Sequence, residues 1–129
     1  MTIDDLIERL ENGSEDPHDL GVAINEHFEI ASYITDDGNP VESIDAAVAL
    51  CQRVLPGWAW RVATCCVSDD AWVFPDFNSP EHGDRLKREF DQKWDWSELA
   101  DVDLRPAGRP ATALVLSILR AKQIIEEAA

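Results

Sequence analysis

Apolar residues open the chain at helical spacing: Ile3, Leu6, Ile7 and Leu10 recur three and four apart, which lines one face of a helix. Thr2 and Asp5 read as a capping box in front of that run, and Asn12-Gly13 as its stop. Asp16-Pro17 starts a second helix with a cap and a proline at its first position. Leu20, Ile24, Phe28 and Ala31 form its stripe, with Gly21 inside. The stretch 35–40 is turn chemistry throughout. Ser43 caps a third helix with the stripe Ile44, Ala47, Val48, Cys51, Val54 and Leu55, and Pro56-Gly57 ends it.

From Trp58 to Val67 the period changes to two, as in a strand. Trp58, Trp60, Val62, Thr64 and Cys66 fall on one face; Ala59, Arg61, Ala63, Cys65 and Val67 fall on the other. Ser68-Asp69-Asp70 reads as a tight turn, and Ala71 to Phe74 as the returning strand of a hairpin. Core packing is the expected role of Trp58, Trp60 and Trp72. Asn78 to Glu98 is a polar, mixed-charge insertion, in which Leu86, Phe90 and Trp94 sit four apart and predict a short amphipathic helix. Ala100 to Arg105 alternates as a short strand, and 106–110 is a loop. Pro110 opens a last helix whose segment Ala111 to Leu119 is apolar nearly all round, hence central and buried.

These elements predict one α+β domain over residues 1–129, with helices flanking a small antiparallel β-sheet in an α-β-α layered sandwich. Residues 1–35 are its acidic helical N-terminal part, and 43–129 a helix, hairpin, insertion and helix core. The length suits one domain, and 45% hydrophobic residues suffice for a core. A sheet with few strands needs its edges covered, by helices or by a partner.

Charge changes the picture more. The chain carries 26 acids against 11 bases, a net of −15. Residues 1–56 hold 13 acids and two bases, Arg9 and Arg53; residues 57–129 hold 13 acids and nine bases. Such a surface repels nucleic acid and anionic membrane and attracts basic patches on other proteins. The cluster Arg85, Lys87 and Arg88 is interrupted by Asp84, Glu89 and Asp91, which suits an exposed helix rather than a nucleic-acid site.

Chemical motifs are sparse. The sequence has no paired Cys-x-x-Cys, His-Glu-x-x-His, glycine-rich phosphate loop or nucleophile elbow. Cys51 and His27 make a nominal nucleophile pair, but Cys51 lies on a stripe expected to be buried. Cys65 and Cys66 point to opposite faces of a strand and suit small packed thiols. The carboxylates of 36–42 lack the alternating ligand spacing of a calcium loop, so a turn and helix cap are expected there. No metal, no cofactor and no catalytic residue is expected. The acidic start is the wrong pattern for a signal peptide, and no apolar run approaches the roughly 20 residues that span a bilayer; a cytoplasmic location follows as the expectation.

Several blocks in order carry a resemblance. Glu8-Arg9-Leu10-Glu11 is followed by Asp19-Leu20 and Ile24, then by Ser43-Ile44-Asp45-Ala46-Ala47-Val48-Ala49-Leu50 and Pro56-Gly57-Trp58-Ala59-Trp60. Pro110-Ala111-Thr112-Ala113-Leu114 through Leu119-Arg120-Ala121 closes the series. The set resembles a family of small alphaproteobacterial phage and prophage proteins related to the phage ABA sandwich domain. The resemblance implies a phage origin and helix–sheet–helix layering, and it brings no catalytic residues with it. The insertion from Asn78 to Glu98 departs from the family pattern.

The functional expectation is therefore a non-enzymatic binding protein whose anionic face engages a basic, nucleic-acid-binding host protein, as a counter-defence inhibitor. Asp4, Asp5, Glu8, Glu11, Asp16 and Asp19 would present the charge. Trp94 and Trp96, an aromatic pair among charged neighbours, would be hot spots for the partner. The alternative is a phage structural or accessory protein that self-associates through its sheet face.

Overall fold

The structure is a computed structural model that describes residues 2–13, 15–30, 38–64, 69–90, 94–103 and 109–128. Local signals set the first three helices. α1 (Ile3–Asn12) begins with the Thr2–Asp5 capping box fully formed and ends at Gly13, whose φ of 71° is the left-handed conformation of a helix stop. α2 (Pro17–His27) is capped by the Asp16 carboxylate on the His18 N–H, with Pro17 at its first position. α3 (Ile44–Val54) is capped by the Ser43 hydroxyl on the Ala46 N–H. Ile44, expected in the apolar stripe of α3, is instead 41% exposed. It lies to one side of the buried face, which Ala46, Ala47, Leu50 and Cys51 define.

β1 (Trp58–Thr64) and β2 (Asp69–Pro75) form the antiparallel hairpin, in a register that pairs Trp58 with Pro75, Trp60 with Val73 and Thr64 with Asp69. Asp69 and Asp70 therefore belong to the strand and not to the turn expected at 68–70. Ser68, Val67 and the cysteines Cys65 and Cys66 lie outside the described residues, as do Ala31 and 35–37. α4 (Gly83–Glu89) ends at Phe90, whose backbone is extended, so Trp94 does not continue the helix that the four-residue spacing predicts. A one-turn helix, α5 (Trp96–Leu99), leads to β3 (Val102–Asp103). β3 pairs antiparallel with β2 through Val102–Ala71 and Asp103–Asp70. The predicted continuation to Leu104 and Arg105 lies outside the described residues.

The sheet order is β1-β2-β3. α6 (Pro110–Ala128) lies along β2 and also packs on α1 and α3. Every residue from 111 to 119 is buried, as the all-round apolar run predicts. Leu114, Leu116, Ile118 and Leu119 join Leu6, Ile24, Cys51 and Val73 in one hydrophobic cluster, and each such side chain contributes roughly 1.5–3 kcal/mol by leaving water. The fold is α+β, helices packed on a small antiparallel sheet. Among the described residues no helix is long and apolar enough to cross a membrane.

Candidate functional site

The charged face comes first. With Ile3, Leu6 and Leu10 turned into the core, the 3.6-residue period sends Asp4, Asp5, Glu8 and Glu11 to the outer side of α1. Two arginines border that side. Arg9 forks onto Glu15, with Nε at 2.6 Å and Nη2 at 2.8 Å from its two oxygens. From α6, Arg120 bonds Glu11 at 3.1 Å and the Asp101 carbonyl at 2.9 Å, while Gln123 donates to the Asp4 carboxylate. Glu8, between these borders, is exposed.

Two of the six predicted acids also do structural work. The Thr2 N–H and hydroxyl hold the Asp5 carboxyl below its ordinary pKa, and Asp16 caps α2. Asp19 lies on α2, where its charge adds to that of Glu15 in stabilising the Arg9 cation. The leading helices thus carry an acidic outer face, framed by Arg9 and Arg120 rather than left wholly bare.

The tryptophans divide differently from the expectation. Trp96 is only 3% exposed and meets Trp58 edge-on, with ring centroids 4.8 Å apart. Phe90 joins the same cluster, 5.2 Å from Trp58. Trp96 is therefore core and not an exposed hot spot: its charged neighbours in sequence say nothing of the apolar wall that β1 supplies from elsewhere. Trp94 is half-buried against Trp96 at 5.4 Å. Trp58 is buried as expected, whereas Trp60, on the same strand face, is 41% exposed. Phe90 and Trp96 pack on Trp58, whereas Trp60 lines an open groove.

Beside these rings lies an open groove of about 770 Å³. Trp60, Trp72, Phe74, Trp94 and Trp96 are among the aromatic residues that line it, and Asp95 lines it too. The guanidinium of Arg61 sits 4.5 Å from the centroid of the Trp72 ring, a cation–π stack. Nothing in the alternation of 58–67 marked this groove, because it straddles an edge strand and draws on both strand faces. The density of tryptophan, five in 129 residues, was the one available signal.

Other chemical candidates have structural explanations. Burial pushes the Cys51 thiol up to about 12, which leaves it protonated and unsuited to nucleophilic attack. His27 packs edge-on against Phe28, 4.8 Å between centroids. His82 fills the space above Gly57, where an added Cβ would lie 2.5 Å from the histidine Cβ. In the turn before α3, as expected in place of a calcium loop, Asn39 accepts from the Val41 N–H at 2.9 Å and donates to the Pro17 carbonyl at 2.8 Å, so it ties the turn to α2; Asp36 and Asp37 lie outside the described residues. Asp70, Asp101 and Asp103 meet where β2 joins β3. Burial first, then the Asp70 charge and a hydrogen bond to it, raise the Asp101 pKa. Among the described residues no group of His, Cys, Asp or Glu is arranged to hold a metal ion.

Compared with protein-family models, curated proteins and solved structures, the chain matches none.

Proposed function

We propose that the chain is a binding protein without chemistry of its own, and that it engages a protein with a basic surface. The observation that carries this reading is the charge surplus. If every one of the 11 bases neutralised one acid, 15 carboxylates would still be unmatched. The ion pairs Arg9–Glu15, Arg120–Glu11, Arg85–Glu89 and Arg109–Glu42 are all at least partly exposed, so they are rims to the negative field and not a cover over it. Carboxylates spaced along helices present charge to Arg and Lys clefts much as phosphates do. The phage-like resemblance makes a nucleic-acid-binding host protein, and a role in counter-defence, the concrete form of the reading.

Its test is affinity for a basic protein across a salt series, with the chain and with a variant in which Glu8, Glu11 and Asp19 become Gln, Gln and Asn. Affinity should fall steeply with salt, and the variant should bind more weakly with a shallower salt slope. Binding indifferent to both salt and variant would refute it. Trp60, exposed on an edge strand, favours one alternative, self-association through the sheet. That reading calls for a dimer that persists at high salt and dissociates when Trp60 becomes Ala.

A further inference from the structure

β1 carries more than an exposed ring. Val73 donates its N–H to the Ser117 hydroxyl of α6, at 3.0 Å, so its backbone faces away from β1. Trp60 pairs with Val73. In an antiparallel ladder, opposed residues either exchange both hydrogen bonds or turn both backbones outward; Trp60 therefore presents its N–H and carbonyl to the outer edge of β1. The alternation extends to Trp58 and Val62. Trp58 confirms the parity, since its N–H goes outward to the Leu55 carbonyl at 3.0 Å. At Trp60 and Val62 the same outward positions meet no partner among the described residues. A row of unpaired backbone groups thus runs beside the aromatic groove, and the two share Trp60 and Val62. Trp96, which also lines the groove, adds a further unmet donor: its indole N–H is buried with no acceptor among the described residues.

We infer that the outer edge of β1 is a docking site for an extended, Lys- or Arg-rich segment of the partner, which adds as a strand along Trp60–Val62 and lays alternate side chains in the groove. The site deepens the proposed function and rests on it for the sign of the partner's charge. Strand addition supplies main-chain hydrogen bonds, and alternate side chains supply selectivity. Two observations choose a cationic segment. The chain as a whole is at −15, which disfavours a second copy of itself. Asp95 lines the groove.

The experiment titrates the full chain with a synthetic ten-residue peptide of alternating Arg and Val, followed by tryptophan fluorescence and calorimetry. Two control peptides carry Glu in place of Arg, or N-methyl groups on alternate backbone nitrogens. The Arg peptide should bind, the Glu peptide should not, and backbone methylation should weaken binding tenfold or more. Trp60→Ala and Val62→Pro should each do the same, with circular dichroism to show that they fold; proline is tolerated on an edge strand where its missing N–H faced outward. The methylated peptide decides the matter by itself if Val62→Pro does not fold. Salt-sensitive binding that ignores methylation and Trp60→Ala but falls on neutralising Glu8, Glu11 and Asp19 would overturn this site and leave the proposed function standing. Failure of the Arg peptide to bind at all would overturn the site. A dimer lost in Trp60→Ala, with no peptide binding, would overturn it in favour of a second copy.

Discussion

Ser117 and Val73 are joined across 44 residues by a buried hydrogen bond of 3.0 Å. β3 reaches only as far as Ala71 along β2, so the sheet runs out of strand just where Val73 needs an acceptor. α6 supplies it from within its apolar run. Removing that hydroxyl strands a buried amide, which costs about 1–3 kcal/mol. Ser117→Ala should therefore lower stability by that amount in chemical denaturation with an unchanged m-value. A change within error would mean that Val73 finds another acceptor.

Gly21 inverts an ordinary rule. Alanine in place of glycine inside a helix normally stabilises by about 1 kcal/mol. Here a Cβ would lie 2.4 Å from Asn39 Oδ1. Asn39 cannot swing clear without losing its bonds to the Val41 N–H and the Pro17 carbonyl. Gly21→Ala should destabilise, and in an Asn39→Ala background the same change should turn neutral or favourable. The double-mutant cycle in thermal denaturation reads the coupling directly.

Trp60 and Trp96 should separate binding from folding. Trp96 packs in the ring cluster with Trp58 and Phe90, and truncation to Ala in such a setting costs about 3–5 kcal/mol. Trp60 is 41% exposed on the outer strand, so Trp60→Ala should change stability by well under half that. Equal losses in urea denaturation would show that Trp60 is core.

What local chemistry decides was legible in the sequence. Thr2 with Asp5, Asp16 with Pro17, and Ser43 each satisfy orphan amides within three residues, and the helices start where those residues stand. The buried run of α6 was equally plain, since no helix face offered itself to water. Burial along β1 was not, because Trp58 and Trp60 have the same parity and differ in that Phe90 and Trp96 pack on Trp58. Trp96 misled for the same reason: Asp95 is its neighbour in sequence, but Trp58 and Phe90 are its neighbours in space. The Leu86, Phe90 and Trp94 spacing suggested more helix than forms, since Phe90 leaves the helical conformation to reach Trp58. Ser117 read as an incidental polar residue in an apolar run; its partner lies on a strand that the sequence alone does not place beside it.

The carboxyl cluster at the β2–β3 junction should make stability depend on pH. Burial and the neighbouring Asp70 charge raise the Asp101 pKa above its ordinary value. The folded state therefore holds the Asp101 proton more tightly than the unfolded chain does. The resulting stabilisation is fully present below the unfolded value and is lost as pH rises through the folded one. Asp5 and Glu15 have the opposite sign, because hydrogen bonds from Thr2 and from Arg9 lower their values; their contribution is lost as pH falls. Asp101→Asn keeps the shape and removes the titration. The variant should gain on the parent chain as pH rises from 3 to 7, measured by denaturation at each pH. A constant difference across that range would mean that Asp101 titrates alike in both states.

Self-repulsion should leave a mark on the whole molecule. A net charge of −15 on 129 residues destabilises the compact state, since folding brings like charges closer together. Salt shortens the range of that repulsion to about 10 Å at 0.1 M and about 3 Å at 1 M. The four arginine–carboxylate pairs lose attraction under the same screening, but they are partly exposed and each is worth roughly 0–1 kcal/mol. A concentrated acidic face requires that repulsion among the surplus carboxylates outweigh them. Melting temperature should accordingly rise when sodium chloride goes from about 0.02 to about 0.5 M, and the variant lacking the charges of Glu8, Glu11 and Asp19 should melt higher at low salt with a smaller rise. A melting temperature that falls with salt would mean that the ion pairs bordering the acidic face dominate, and that the surplus charge is dispersed too widely to form the field on which the proposed recognition depends.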